Sequence, residues 1–221
     1  LEGVRRLAEI GFTRVVLARE LSREDIKKIC KESPVELEVF VHGALCMCYS
    51  GQCQMSRVLG GGSGRTGNRG TCAQPCRQAY RGDDGEPYYA LSPKDLCLIE
   101  HIPELVMSGA ASFKIEGRMK SAYYTAICAN TYKMAMNEYL KNPQGYMYNP
   151  QWLRELESVS HREYATGFYY DNPMDNPQVV TQNGYLREKA YLCVATGKNE
   201  DGYAYFTQRN KIKEGDICEI I

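Results

Sequence analysis

The chain has 221 residues, 27 basic and 27 acidic side chains, a formal net charge of zero and ten cysteines. That length suits one large domain, or a domain with a smaller one, and buries a core without covalent help. The neutral total excludes a globally basic nucleic-acid binder, the cysteine density lies below that of a short disulfide scaffold, and no apolar run is long enough to cross a bilayer.

Taken in order, the chain opens with apolar residues at helical spacing in "LEGVRRLAEIGF", stopped at Gly11. "TRVVLAR" reads as a short buried strand. "SREDIKKICKES" reads as a helix with Ser22 as N-cap and acids in its first turn. "VELEVFVHG" alternates and is rich in β-branched residues, so it reads as a second strand. Helix–strand–helix–strand implies α/β architecture with a parallel sheet. A glycine-rich segment over 43–82 follows, without a clear period; a loop of that length inside a domain is usually functional or disordered. "PYYALSP" then reads as a strand, "SPKDLCLIEHIPELVMSG" as helical with Pro103 starting a second piece, "ASFKIEG" as a strand, and "SAYYTAICANTYKMAMNEYL" as a long amphipathic helix capped by Ser121.

After Asn142 the "NPQGYMYNPQ" stretch reads as a linker and "QWLRELESV" as a helix. "GFYY", "REKAYLCVATG", "YAYFTQR" and "GDICEII" read as strands of a small β domain. The expected organisation is thus an α/β unit over 1–142, a linker and helix over 143–160, and a small β domain over 161–221. The first residue is Leu1 rather than methionine and the last residues fall within a strand pattern, so a longer parent protein is expected at both ends.

The chemistry concentrates in the loop. Cys46, Cys53, Cys72 and Cys76 form a four-thiol constellation, with Cys48 and Cys97 as spare candidates. Four thiolates from one segment suit a tetrahedral zinc or a 4Fe-4S cluster. The spacing is not that of a zinc ribbon. Glycines allow close backbone approach, and Arg57, Arg65, Arg69, Arg77 and Arg81 stand in a stretch without a single acid. Such charge fits an anionic cluster or a polyanion, and equally a solvated loop. Unrelated reduced cysteines are the bland alternative. Cys30, Cys128, Cys193 and Cys218 sit in apolar patterns and read as core residues.

Two further spots stand out. His42 and Cys46 lie just past a parallel strand, an edge that carries chemistry in α/β folds; the histidine reads as nucleophile partner, substrate ligand or local hydrogen-bonder. In "FKIEGRMKS", Lys114, Glu116 and Arg118 alternate where a buried parallel strand would be apolar. That set suits a carboxylate or phosphate and a proton donor, or a structural ion-pair network. "GSGRTG" matches a dinucleotide fingerprint but lies between cysteines rather than in a strand–turn–helix, so it is rejected. No H-E-x-x-H or G-x-S-x-G motif is present.

"LEVFVHGALCMCYSGQC", "NRGTCAQPCR", "LSPKDL", "FKIEGRMKSAYY" and "SHREYATGFYY" resemble the collagenase-like peptidase family, U32, over nearly the whole chain. The resemblance implies the C-terminal part of a (β/α)8-type (TIM-like) barrel followed by a small β domain. It implies a 4Fe-4S cluster on Cys46, Cys53, Cys72 and Cys76, the last being the position some relatives replace; zinc or bare thiols would be expected after purification in air. It implies either peptidase activity or hydroxylation of an RNA base, tRNA uridine or rRNA cytidine, linked to prephenate. The expected reading is a cytoplasmic RNA hydroxylase. His42, Lys114, Glu116 and Arg118 are its expected catalytic residues, the five loop arginines hold RNA, and the rest of the barrel or a protein partner completes the site. A peptidase acting through Cys46 and His42, and a four-cysteine zinc module that binds RNA, are the alternatives.

Overall fold

The computed structural model describes residues 1–59, 64–170, 185–186, 189–198 and 201–218. Helix α1 (Glu2–Glu9) leads into strand β1 (Arg14–Val16), helix α2 (Arg23–Glu32) and strand β2 (Glu36–Ala44), a β-α-β unit with β1 and β2 parallel. The Ser22 hydroxyl accepts the Asp25 amide at 3.1 Å and starts α2 as its N-cap. The loop after β2 carries a short helix α3 (Met55–Leu59), then a small hairpin of β3 (Tyr80–Arg81) and β4 (Pro87–Tyr88). Strand β5 (Asp95–Cys97), helix α4 (Ile102–Met107), strand β6 (Ser112–Ile115) and helix α5 (Ala122–Lys141) follow. Helix α6 (Gln151–Glu157), strand β7 (Tyr164–Ala165) and the hairpin β8 (Cys193–Lys198) with β9 (Ala204–Gln208) complete the described elements.

Strand β2 is the hub of a mixed five-stranded sheet. It pairs in parallel with β1 and β6 and antiparallel with β5, which pairs in parallel with β7. Its side chains alternate as the period of a strand requires. Leu37, Val39 and Val41 are 2 %, 2 % and 0 % exposed and share one core with Ile26, Ile29, Leu105, Ile127, Trp152 and Leu156. Each such burial contributes about 1.5–3 kcal/mol. Helix α5 supplies the stripe Tyr124, Ile127, Cys128, Thr131, Tyr132 and Ala135, all buried and spaced three or four apart. The Ser121 hydroxyl caps it by accepting the Tyr124 amide at 3.1 Å. Glu38 and Phe40, on the other face of β2, are half-buried.

Four expectations are corrected. Strand β1 is not buried: Arg14 and Val16 are exposed and Val15 half-buried, because β1 stands at the end of the sheet and pairs among the described residues with β2. The stretch read as helical from Ser92 holds strand β5, a 3-10 turn at Ile99–His101 and only then α4, whose first turn contains Pro103. Asp95, Leu96 and Cys97 are all buried in a three-residue ladder with β2, and tertiary pairing overrides the local helical pattern. "GFYY" is a turn rather than a strand, with Gly167 at φ 61° and the Tyr169 amide bonded to Thr166. In "GDICEII" residues 215–218 form no strand, and 219–221 lie outside the described residues, as do Arg187 and Glu188 of "REKAYLCVATG". Helix α6 packs against α5 with Trp152 in the core. Strand β7, which falls in the 161–221 span, pairs with β5 of the main sheet.

Candidate active site

The cysteine-rich loop leaves the end of β2 and is tied down at several points. Leu45 is 1 % exposed, and its carbonyl accepts from Arg77 Nη2 at 3.3 Å. Ser56, equally buried, accepts the Ala73 amide at 3.0 Å and donates to Cys72 Sγ at 3.4 Å. The Gln74 amide donates to the same sulfur at 3.2 Å. Two donors therefore converge on the Cys72 sulfur. Gln74 itself adopts φ 57°, a left-handed conformation uncommon outside glycine.

The loop thiols lie within one another's electrostatic reach. Burial, then Cys53, then Cys46 and Cys76 push the Cys48 thiol up. Burial also pushes Cys76 up; Arg77 opposes it while Cys46 and Cys72 add to it. Among the described residues no three Cys, His, Asp or Glu side chains form a ready metal site. The donor set nonetheless fits a thiolate-ligated centre in its chemistry: soft sulfurs, one already hydrogen-bonded, on a single loop. Cys97 belongs elsewhere. It is 9 % exposed, its Sγ lies 3.9 Å from Tyr132 Oη, and burial pushes its pKa up to about 12. Of the cysteines read as core residues, Cys128 is buried and Cys30 and Cys193 are half-buried, but Cys218 is exposed.

The sequence-derived polar set divides by partner. Lys114 Nζ meets Glu38 Oε1 at 2.5 Å, and Ser112 Oγ donates to Glu38 Oε2 at 2.8 Å. Glu116 pairs with Arg19 at 3.2 Å, and Arg19 lies 3.8 Å over the Phe40 ring. Burial draws the Arg19 pKa down, against the pull of Glu116 and Cys46, so this pair stands beside the start of the loop. The Arg118 amide bonds to Glu116 Oε1 at 3.2 Å. Gly43 makes the junction between the two strands: it has φ 101°, and a Cβ there would collide with the Glu116 carbonyl.

His42 lies beneath this edge rather than in it. It is 1 % exposed and faces the Tyr124, Tyr132 and Tyr164 rings at 6.0, 5.5 and 5.3 Å. Its Nε2 has no hydrogen-bond partner among the described residues. Burial is the main cause that draws its pKa down to about 3, so at neutral pH it is an uncharged imidazole. Of the loop arginines, Arg57, Arg65, Arg69 and Arg81 are exposed, and Arg77 is half-buried against Leu45. Gly62 and Ser63 of "GSGRTG" lie outside the described residues.

Sequence reasoning missed two features. Arg162, 1 % exposed, binds Asp95, 1 % exposed, through Nε at 3.0 Å and Nη2 at 2.5 Å. Its backbone amide donates to the other carboxylate oxygen at 3.1 Å. This pair fastens the segment before β7 to β5. The second is Lys120, whose Nζ donates to the Ser160 carbonyl at 2.5 Å. Burial first, then Arg162 and Arg77, hold its pKa down to about 8 against the pull of Asp95. Both stood inside stretches notable for charge, "SPKDL", "SHREY" and "GRMKS". Lys120 and Arg118 line a cavity of about 450 Å³ between the end of β6 and α5. A second cavity, of about 510 Å³, is lined by Lys94, Glu100, His101, Glu157, His161 and Glu163. No helix is long and apolar enough to cross a membrane among the described residues.

Comparison with known proteins gives this arrangement a context. The chain is 35 % identical to tRNA hydroxylation protein P1 of Bacillus subtilis (strain 168), over 96 % of this chain and 52 % of that protein. It is 33 % identical to a collagenase of Porphyromonas gingivalis, over 88 % of this chain and 49 % of that one. It is 38 % identical to a 23S rRNA 5-hydroxycytidine synthase of Escherichia coli (strain K12), over 62 % of this chain and 21 % of that one. The chain therefore spans about half the length, or less, of these relatives. No solved structure matches it. The model of peptidase family U32 matches residues 1–178, including every strand of the main sheet and the whole cysteine loop, and the chain belongs to that family.

Proposed function

We propose that this chain is the cofactor-bearing part of an iron–sulfur enzyme that hydroxylates an RNA base, a tRNA uridine or an rRNA cytidine, in a prephenate-linked reaction. The observation that carries the reading is the cysteine loop: mutually interacting thiols, one with two hydrogen-bond donors on its sulfur, amid exposed arginines. Relatives named for tRNA hydroxylation and rRNA 5-hydroxycytidine synthesis support it. Cys46, Cys53, Cys72 and Cys76 would hold a 4Fe-4S cluster, with Cys48 beside Cys53 as the alternative ligand. The cluster, when bound, supplies one-electron redox chemistry. Arg57, Arg65, Arg69 and Arg81 would contact RNA phosphates in a salt-dependent way, while Arg77 fixes the loop to Leu45. Glu116, held by Arg19, offers a carboxylate at the strand edge, and Arg118 a guanidinium for an acid such as prephenate.

In this reading the sheet is part of a (β/α)8-type barrel, completed by further sequence or a partner, and the protein works in the cytoplasm. The parallel run of β1, β2 and β6 and the polar Glu38–Lys114 face support that view, whereas antiparallel β5 departs from the all-parallel order of such a barrel. The collagenase relative keeps a peptidase reading in play. Against a Cys46–His42 dyad stands the depth of His42, whose Nε2 touches no thiol among the described residues. Anaerobic purification, a visible spectrum near about 400 nm, and iron and sulfide analysis test the proposal on wild type and Cys53→Ala. Roughly four irons per chain, lost in the variant, is the expected result. One zinc without iron or sulfide would replace it with the zinc-module reading; neither metal would return the peptidase reading.

A further inference from the structure

Three cations converge where the cysteine loop meets the start of α5. Arg77 Nη1 lies 3.5 Å from Tyr185 Oη. Lys120 Nζ lies 4.1 Å over the ring of the same tyrosine. Arg118 lines the 450 Å³ cavity with Lys120, and its Nη1 passes 3.8 Å from the place a Cβ would take on Gly70 of the loop. Among the described residues none of the three forms an ion pair. Asp95, the acid in the field of Lys120, is already committed to Arg162 through both of its oxygens. Lys120 and Arg77 are half-buried, Arg118 is exposed at the cavity mouth, and the two half-buried like charges without a counter-charge are unfavourable unless an anion answers them.

The donors are also free to do so. Lys120 gives one N–H to the Ser160 carbonyl and keeps two. The Arg118 guanidinium makes no hydrogen bond among the described residues, and its planar fork suits an oxyanion. Gly117 lines the same cavity, and a Cβ there would stand 2.7 Å from the Tyr124 ring, so the close packing of this wall requires glycine. Lys114 cannot serve while its ammonium is held by Glu38 at 2.5 Å.

We propose that this cavity is an oxyanion-binding site for a small molecule bearing a carboxylate or phosphate, with Lys120 and Arg118 as its ligands. For the identity of the anion the proposal rests on the function proposed above, since it makes Lys120 the partner of Arg118 in holding an organic acid. The site itself needs neither cluster nor RNA.

Titration calorimetry with malonate, inorganic phosphate and uridine 5′-monophosphate tests it on wild type, Lys120→Gln, Arg118→Gln, Lys120→Arg and Lys27→Gln. Circular dichroism establishes that each variant is folded. Saturable binding of at least one probe is expected, weakened about tenfold or more by Lys120→Gln and by Arg118→Gln. Lys120→Arg keeps the charge and should retain binding; Lys27→Gln, exposed on α2, should leave it unchanged. Tightest binding of malonate assigns the site to an organic acid, and of phosphate or the nucleotide to a phosphate ester. No saturable binding of any probe, or binding untouched in both Gln variants, overturns the proposal. Iron incorporation without anion binding would refute this site alone; anion binding without iron would refute the cluster alone.

Discussion

Replacing His42 with phenylalanine should flatten the acid side of the stability profile. The imidazole is 1 % exposed and ringed by three tyrosines. Burial is the main cause that takes its pKa from 6.5 to about 3, with Asp95 opposing and His161 and Lys120 adding to the shift. Between those values the unfolded chain binds a proton that the folded chain refuses. The stability contributed by the neutral ring is therefore fully present above about pH 6.5 and is lost as pH falls toward about 3. At about pH 5, some 1.5 units below the unfolded value, the loss is about 2 kcal/mol at about 1.4 kcal/mol per unit. Phenylalanine keeps an aromatic ring in the site, removes the titration, and breaks no hydrogen bond at Nε2, where the described residues offer none. Urea unfolding at about pH 8 and about pH 5 gives each protein's loss between the two conditions. The wild-type loss should exceed that of His42→Phe by about 2 kcal/mol. Equal losses, within about 0.5 kcal/mol, would refute the neutral buried imidazole.

Two further substitutions probe the frame around the site. Arg162→Leu leaves the Asp95 carboxylate buried without its cation, and should lower unfolding stability by about 3–5 kcal/mol in denaturant titration. Gly43→Ala combines φ 101° with a collision against the Glu116 carbonyl. It should lose about 2–4 kcal/mol by the same measurement, because two paired strands must separate to admit the methyl group.

Helices α2 and α5 are legible from the sequence because their signals are local. Ser22 and Ser121 cap them, and the buried stripe of α5 repeats every three or four residues. Strand β5 is not legible. Its Asp95 becomes tolerable only through Arg162, 67 residues away, and its residues carry no strand period of their own. The candidate site was half readable. The alternation of Lys114, Glu116 and Arg118 marks a polar strand edge, but their partners Glu38 and Arg19 lie 76 and 97 residues from Lys114 and Glu116. No spacing rule reaches across such a gap. Strand β6 ends at Ile115, so Glu116 and Arg118 already lie past it, and Lys120, just beyond the turn at 118–119, falls outside any strand alternation. The gathering of thiols was readable from composition; which sulfur accepts hydrogen bonds was not, since Ser56 reaches Cys72 only through the fold of the loop.

The topology explains why chemistry gathers at one edge. Strands β1, β2 and β6 run parallel, so their carboxyl ends lie on the same side of the sheet, where α/β folds place their ligands. From β1 comes Arg19, from β2 the cysteine loop, and from β6 the run Glu116, Arg118 and Lys120. The Glu116 amide bonds the His42 carbonyl at 2.9 Å, which holds the last two exits together across Gly43. Antiparallel β5 brings Asp95 to the same edge opposite Ala44, and through Asp95 comes Arg162. Thiols, carboxylate and cations thus hang from separate strand ends on one shared core. A change at Lys120 alters charge at one exit, whereas a change at Cys53 alters the loop at another. Anion binding and metal incorporation should therefore separate under mutation, as two sites on a rigid sheet would and a single collapsing loop would not.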